Sequence, residues 1–222
     1  MNVLIIGTSS GLGKSLVEIF QKEGHTVISV SRNQNKNNLN HISCHIGEDN
    51  GRAYIIDFLI KNPHLIPQTI IYCAGLLIKK PFLDQTEEEI MDQMNINLFA
   101  PMFFTQLFMR HFETKVKCQH LFIGSMAGYQ DSKKVPGLSV YSISKAGLHA
   151  LSQTLAVEYP KSGHFFNAIA LGAVKTDMLS KAFDNQINGS DVDEVAQSLY
   201  EFTTMNKRMI NGEIIRFDEF SI

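Results

Sequence analysis

The chain has 222 residues, of which 44% are hydrophobic and 19% charged, a composition typical of one soluble globular domain. The formal net charge of −2 and the absence of a dense basic block argue against a dedicated nucleic-acid-binding protein. The longest apolar run, Ile70 to Ile78, is too short for a transmembrane helix, which needs about 20 residues. We therefore expect a single cytoplasmic domain over residues 1–222, with no membrane partner and no metal.

Short apolar runs alternate with longer amphipathic runs along the chain. The apolar runs predict buried strands at residues 2–6, 26–30, 41–46, 69–73, 120–125, 165–171 and 213–217. The amphipathic runs predict helices near residues 12–23, 51–61, 87–112, 139–159 and 191–205. This alternation predicts an α/β fold, a doubly wound parallel sheet of the Rossmann type with about seven strands and helices on both faces.

A glycine-rich segment, GTSSGLG, follows the first predicted strand and contains Gly7, Gly11 and Gly13. Glycines in a strand-to-helix turn let backbone N–H groups approach a phosphate at the helix N-terminus. The segment predicts a phosphate-binding turn, and a turn required only for packing is the alternative. The overlapping TSSGLGKS departs from the P-loop pattern only at Thr8, which leaves a phosphotransferase as a distant alternative. Against it, no nearby strand ends in the aspartate that would hold magnesium.

Three cysteines, Cys44, Cys73 and Cys118, show no Cys-x-x-Cys spacing. Two of them lie in apolar runs typical of strands, so the expectation is buried, reduced thiols. The asparagine-rich segment at residues 33–40 follows a predicted strand and is typical of a solvated loop.

Two Tyr-x-x-x-Lys segments occur close together, Tyr129 with Lys133 and Tyr141 with Lys145. The first lies among glycine, aspartate and proline residues that predict a loop, where the four-residue spacing aligns nothing. The second lies in the predicted helix 139–159, where the spacing places both side chains on one face. An ammonium close to a phenol favours the phenolate, so we expect Lys145 to lower the pKa of Tyr141 toward neutrality. A surface pair without chemistry is the alternative.

Six short motifs occur in one order along the chain: the glycine segment, CAG at 73–75, NINL at 95–98, IGSMAG at 123–128, YSISK at 141–145 and LGAVKTDM at 171–178. Together they resemble the single-domain branch of the short-chain dehydrogenase/reductase family, over nearly the whole chain. The resemblance implies an oxidoreductase that transfers a hydride between a nicotinamide cofactor and a small carbonyl or alcohol substrate.

The resemblance also implies roles for four residues. Tyr141 is the expected acid and base at the substrate oxygen, and Ser125 is expected to hydrogen-bond the same oxygen. Lys145 is expected to bind the nicotinamide ribose as well as assist the tyrosine, and Asn97 to hold a water of the proton relay. The plain alternatives are a helix-interior amide for Asn97 and a capping hydroxyl for Ser125.

The glycine segment and the resemblance together predict the cofactor contacts, which are Gly7, Ser9, Ser10, Gly11, Leu12, Gly13, Ser31, Arg32, Cys73, Ala74, Gly75, Tyr141, Lys145, Val174 and Thr176. Ser31 stands where NAD-preferring members of the family have an acidic residue. Arg32, the next residue, can bind a 2′-phosphate through its planar guanidinium. NADP(H) is therefore expected to be preferred over NAD(H), with a solvated arginine as the alternative.

The sequence departs from the family pattern at Ile6, Cys73 and Leu171. The segment at residues 177–190, which covers the substrate in relatives, is short, and the C-terminal segment at residues 211–222 is atypical. The substrate is therefore not readable from the sequence. Four lysines are candidates to line the approach of an anionic substrate, although solvated lysines are the plainer reading: Lys79, Lys80, Lys133 and Lys134.

Two further expectations concern partners and activity. Helices near residues 87–112 and 139–159 form the subunit contacts in relatives, so the resemblance implies a homodimer or a homotetramer. A catalytically silent NADP(H)-binding sensor or scaffold on the same fold is the main alternative to an enzyme, because a fold does not by itself confer activity.

Overall fold

The computed structural model of the protein describes residues 1–34, 38–113, 116–184, 188–205 and 210–217. Its strands are β1 (Asn2–Ile6), β2 (Thr26–Ser31), β3 (His41–Ser43), β4 (Thr69–Tyr72), β5 (Cys118–Ile123), β6 (His164–Leu171) and β7 (Ile214–Phe217). All pairings between them are parallel, in the order β3-β2-β1-β4-β5-β6-β7. The order of strands reverses between β1 and β4, which opens a crevice at the carboxyl ends of these strands.

Helices cover both faces of this sheet, and they are α1 (Gly11–Lys22), α2 (Asp49–Lys61), α3 (Glu87–Met94), α4 (Ala100–Phe112), α5 (Ser139–Glu158), α6 (Asp177–Phe183) and α7 (Val192–Met205). One apolar core packs α2, α4 and α5 on the sheet through residues such as Ile55, Phe104 and Leu148. A second core packs α1 and α7 on the opposite face through residues such as Phe20 and Leu199. The predicted fold class, a doubly wound parallel sheet, is confirmed.

The central strands read as unbroken apolar runs because helices cover them from both sides. In β1, Val3 to Ile6 are all buried, and the whole of β4 is buried. The register pairs Ile6 with Tyr72, so that the residues following the two strands emerge side by side. The glycine segment and the CAG motif therefore meet at the same edge of the sheet.

Three predicted elements differ from the structure. The strand predicted at 41–46 ends at Ser43, because the chain then turns, with the Glu48 N–H bonded to the His45 carbonyl at 3.1 Å. The helix predicted over 87–112 is interrupted by a π-helical turn at Asn95–Phe99. The helix α6 lies in the segment expected only to cover the substrate. Parts of three predicted segments lie outside the described residues: 35–37, 185–187 and 218–222.

None of the helices within the described ranges is both long and apolar enough to cross a membrane. The three cysteines are free; Cys118 is buried, whereas Cys44 and Cys73 are half-buried.

Three histidines are buried in the fold and are held neutral. Burial lowers the pKa of His120, His149 and His164, and for His149 the value falls to about 4. His120 and His164 pair through their ring nitrogens at 2.9 Å, which requires one ring to donate and the other to accept. A histidine whose folded pKa is lowered contributes stability that is complete above its unfolded pKa of 6.5 and is lost as the pH falls below it.

We expect His149→Gln to flatten the pH dependence of stability. Each pH unit between 6.5 and the folded pKa costs about 1.4 kcal/mol per buried histidine, so removal of His149 should shrink the difference in unfolding free energy between pH 7 and pH 5 by about 2 kcal/mol. Urea unfolding at both pH values measures this difference. The exposed His64 provides the control, as His64→Gln should leave the difference unchanged. An unchanged difference in the His149 variant would contradict the expectation.

Candidate active site

The turn between β1 and α1 is packed so tightly that only glycine fits at two positions. Gly7 has a φ of +94°, and a Cβ there would collide with the backbone of Ala74. A Cβ on Gly13 would collide with the Gly7 carbonyl. The turn therefore holds strand, helix and the CAG segment in direct contact, and leaves backbone N–H groups at the start of α1 facing the crevice.

Two cavities meet at this turn. The Tyr141 cavity, of about 310 Å³, extends toward the ends of β5 and β6 and includes Ser125. The Arg32 cavity, of about 280 Å³, extends toward the ends of β2 and β3. Both are lined by Gly7, Ser10, Cys73, Gly75 and Met178. Joined across the glycine turn, they form one groove suited to an extended ligand such as a dinucleotide.

The fifteen predicted cofactor contacts all line this groove. In addition to the shared residues, the Tyr141 cavity is lined by Gly11, Leu12, Gly13, Tyr141, Lys145, Val174 and Thr176. In addition to the shared residues, the Arg32 cavity is lined by Ser9, Ser31, Arg32 and Ala74. Of the predicted catalytic residues, Ser125, Tyr141 and Lys145 line the Tyr141 cavity, whereas Asn97 does not.

Lys145 is a buried cation, with 4% of its surface exposed. Its ammonium donates a hydrogen bond to the carbonyl oxygen of Ile123 at 2.9 Å, at the end of β5. Burial lowers the pKa of Lys145 to about 8, and the Cys73 thiol nearby acts in the opposite direction. Burial likewise raises the pKa of Cys73 to about 12, so this thiol stays protonated at neutral pH.

Tyr141 lies one helical turn before Lys145, on the same face of α5, and the ammonium is 5.8 Å from the centre of the phenol ring. Burial raises the pKa of Tyr141, and a hydrogen bond with Ser125 lowers it by a smaller amount. The expectation that Lys145 lowers this pKa toward neutrality is therefore wrong. The physical reason is that desolvation of the phenol dominates, while the Lys145 ammonium is bonded to the Ile123 carbonyl.

Ser125 lies two residues beyond β5 and begins a short 3-10 turn at Met126–Gly128. Its hydroxyl oxygen accepts a hydrogen bond from the Ala127 N–H at 3.1 Å. Because the same hydroxyl also lines the Tyr141 cavity and acts on the pKa of Tyr141, the capping role and a place in the cavity occur together. The turn thus fixes the position of the serine relative to the phenol.

Asn97 lies behind the cavity, in the π-helical turn, with 1% of its surface exposed. Its side-chain amide accepts from the Leu76 N–H and donates to the Leu76 carbonyl, both at 2.8 Å. It also donates to the Ser144 hydroxyl at 3.0 Å. The side chain therefore fastens the segment after the CAG motif to α5, and the role of Asn97 in holding a water stays a prediction.

Ser31 and Arg32 lie at the end of the groove near β2. Arg32 is exposed, and the hydroxyl of Ser31 donates to the Asn33 carbonyl at 2.9 Å. His45, to which the sequence assigns no role, lines the Arg32 cavity, and its Nδ1 has no hydrogen-bond partner within the described part of the chain.

The sequence also missed the apolar wall of the Tyr141 cavity, to which belong Leu77, Met126, Val135, Leu138, Met178 and Phe183. No motif marks these residues, since they come from separate loops and from the unpredicted α6. Tyr129, of the other Tyr-x-x-x-Lys segment, lies in a loop outside both cavities, with Arg216 5.5 Å above its ring.

The family model described as short chain dehydrogenase matches residues 1–187. The chain belongs to the short chain dehydrogenase family. It is 32% identical to benzil reductase ((S)-benzoin forming) of Bacillus cereus over 197 residues, which cover 79% of this chain and 76% of that protein. It is 26% identical to 3-oxoacyl-[acyl-carrier-protein] reductase of Haemophilus influenzae over 197 residues, covering 84% of this chain and 79% of that one.

Solved structures of similar proteins share the fold. A 4-hydroxyisoleucine dehydrogenase complexed with NADH aligns with a TM-score of 0.85 at 19% identity, covering 98% of this chain and 97% of that one. ElxO with NADP bound aligns with a TM-score of 0.84 at 21% identity, covering 98% and 96%. This short chain dehydrogenase is thus an oxidoreductase of carbonyl or CH–OH groups that uses a nicotinamide cofactor.

The P-loop alternative finds no support in the geometry. Lys14, which would have to reach the phosphates, lies on the outside of α1 and pairs with Glu18 at 3.8 Å. The Thr8 hydroxyl is turned away from the groove and donates to the Val30 carbonyl at 3.2 Å.

Proposed function

We propose that the protein is an NADP(H)-dependent carbonyl reductase in which Tyr141 is the acid and base. The observation that carries the proposal is the convergence of Ser125, Tyr141 and Lys145 on one cavity beside the glycine turn. Each of the three residues, taken alone, could also have a purely structural role. Their meeting in the Tyr141 cavity favours one shared task.

The groove fits a nicotinamide dinucleotide on its own chemistry. The close-packed glycines Gly7 and Gly13 leave backbone N–H groups at the start of α1 for a pyrophosphate. Arg32 and Ser31 line the far cavity, where the acidic residue of NAD-preferring members is missing. A carboxylate does line that cavity, but it comes from Asp92 on α3 and not from the end of β2. These features support a preference for NADP(H).

The bound cofactor supplies the hydride in reduction and accepts it in oxidation. The Tyr141 hydroxyl donates its proton to the substrate oxygen, and its raised pKa keeps that proton in place at neutral pH. Ser125 donates a hydrogen bond to the same oxygen as negative charge develops on it. The Lys145 ammonium, held by the Ile123 carbonyl, stabilises the phenolate that Tyr141 becomes. A protonated phenol before reaction suits the reductive direction.

The apolar wall of the Tyr141 cavity supports an apolar substrate. The relative from Bacillus cereus is named for benzil, an aromatic diketone without charge. We therefore propose benzil as the first substrate to assay, with NADPH consumption as the readout.

We further propose that the protein forms a homodimer or a homotetramer through α4 and α5. Large apolar side chains are exposed on and around these helices: Met91, Met102, Phe103, Ile143 and Val157. Burial of such a surface against a second copy would be favourable.

The central prediction compares the two tyrosines. Tyr141→Phe should lower kcat for benzil reduction by about 100-fold or more, because the proton donor is lost. NADPH binding, followed by its fluorescence, should persist. Tyr129→Phe, the matched control from the other Tyr-x-x-x-Lys segment, should change kcat little. The reverse ranking of the two variants would refute the assignment, and binding of NADPH with no turnover of any carbonyl by the unmodified protein would favour the sensor alternative.

A second prediction concerns the cofactor. NADPH should bind about tenfold or more tightly than NADH, because Arg32 can pair with the 2′-phosphate. Arg32→Glu should reverse the order, since a carboxylate repels the phosphate and accepts from the ribose 2′-hydroxyl. Fluorescence titration of both cofactors against both proteins measures this. Equal affinities of the unmodified protein for NADPH and NADH would contradict the proposed preference for NADP(H).

A third prediction concerns the subunit contact. Phe103→Glu should shift the protein toward the monomer in light scattering coupled to size exclusion, as it places a charge in the exposed apolar patch of α4. Tyr54→Glu, on the exposed side of α2, is the control and should leave the mass unchanged. A monomeric unmodified protein would exclude the oligomer.

A further inference from the structure

The wall of the Tyr141 cavity is apolar around the position proposed for the substrate oxygen. A lysine, Lys133, also lines this cavity. Met126, Val135, Leu138, Met178, Leu179 and Phe183 contribute to the apolar wall. Two lining residues are basic, Lys133 and Lys145, and none of the lining residues is acidic. Lys145 is buried and holds the Ile123 carbonyl, whereas Lys133 is exposed, in the loop between β5 and α5.

The other three lysines near this cavity have partners. The Lys79 ammonium lies 4.4 Å from the centre of the Phe183 ring. Lys80 pairs with the Glu89 carboxylate at 2.9 Å. Lys134 donates to the Ala127 carbonyl at 3.3 Å and also bonds the Tyr129 carbonyl. These contacts hold the loops around the cavity, and the Glu89 carboxylate offsets the charge of Lys80.

Lys133 differs from these three lysines because it lines the Tyr141 cavity, and no ion pair involves it in the ranges that the structure describes. Asp131, two residues earlier, is not its partner. An ammonium at the mouth of an apolar cavity without a carboxylate favours an anionic ligand, since nothing in the lining offsets its charge.

The phosphates of the cofactor have other expected partners in this groove. Lys133 lines only the Tyr141 cavity and is absent from the lining of the Arg32 cavity. The pyrophosphate is expected at the start of α1, where backbone N–H groups face the groove. Lys133 comes instead from the loop that contributes Val135 and Leu138 to the apolar wall, which favours the substrate as its ligand, and loading the protein with NADP separates the two cases.

We propose that the substrate is an apolar carbonyl compound with a carboxylate at its far end, which Lys133 binds at the mouth of the cavity. A carboxylate suits this position, because it matches the single charge of one ammonium and no arginine among the described residues lines the cavity to form the paired contacts typical of a phosphate site. The inference rests on the proposed function, which places the carbonyl at Tyr141.

Binding of unreactive probes tests the proposal without turnover. The NADP-loaded protein is titrated by calorimetry with phenylacetate, 3-phenylpropionate and 4-phenylbutyrate, and with the neutral amide of each. At the best length the acid should bind about fivefold more tightly than its amide, the effect of an exposed ion pair. The preference should weaken as the salt concentration rises.

Substitutions assign the preference to one residue. In Lys133→Met the acid and the amide should bind within about twofold of each other, and in Lys133→Glu the amide should bind more tightly. Lys161→Met removes the same charge from an exposed position away from the groove and should keep the preference. Because Lys133 is exposed, its variants should melt at the temperature of the unmodified protein.

Two results would overturn the proposal: no acid of the series binding more tightly than its amide, or a preference that survives in Lys133→Met. Its failure is distinct from that of the proposed function. If the protein reduces benzil but binds no acid more tightly than its amide, the proposed reductase function holds and the proposed role of Lys133 is wrong. An acid preference that depends on Lys133, in a protein that reduces no carbonyl, establishes the anion site and removes the catalytic assignment.

Discussion

The site depends on one buried charge, the ammonium of Lys145. A cation out of water is costly unless it is bonded, and one of the three N–H donors of this ammonium goes to the Ile123 carbonyl. The cost is visible as the lowered pKa, about 8. A buried ammonium is stabilised most when a phenolate or a hydroxyl lies beside it. The fold holds it firmly: a Cβ on Gly128 would collide with the backbone of Lys145, so the turn after Ser125 packs directly on α5.

The contrast between Lys145 and Tyr141 explains where reasoning from sequence succeeded and where it failed. Helical spacing alone put the two side chains on one face of α5, and the structure agrees. The pKa of Tyr141 could not be read in this way, because desolvation depends on what surrounds the phenol after folding. A raised pKa is also consistent with the proposed chemistry, since a proton donor must stay protonated until it transfers the proton to the substrate oxygen.

The misplaced elements have similar causes. The π-helical turn within the predicted helix 87–112 leaves the apolar pattern intact, because it changes backbone hydrogen bonding and not composition. Its effect is to aim the Asn97 amide at the backbone of Leu76. The helix α6 has seven residues, too few for a periodic pattern, and it begins at a capping contact in which Thr176 accepts from the Leu179 N–H at 3.3 Å. Tertiary contacts decide both features.

The same distinction separates the two sides of the groove. On the cofactor side the backbone itself forms the surface, so glycine is required and leaves a motif in the sequence. The loop after β4 is also fixed from behind, by Asn97 at Leu76 and by Gln93, which accepts from the Ile78 N–H at 3.0 Å. On the substrate side, side chains from separate loops form the surface, and many apolar residues would serve. The family and the class of cofactor can therefore be predicted from local motifs, whereas the apolar wall proposed to contact the substrate consists of residues that meet only in the folded chain.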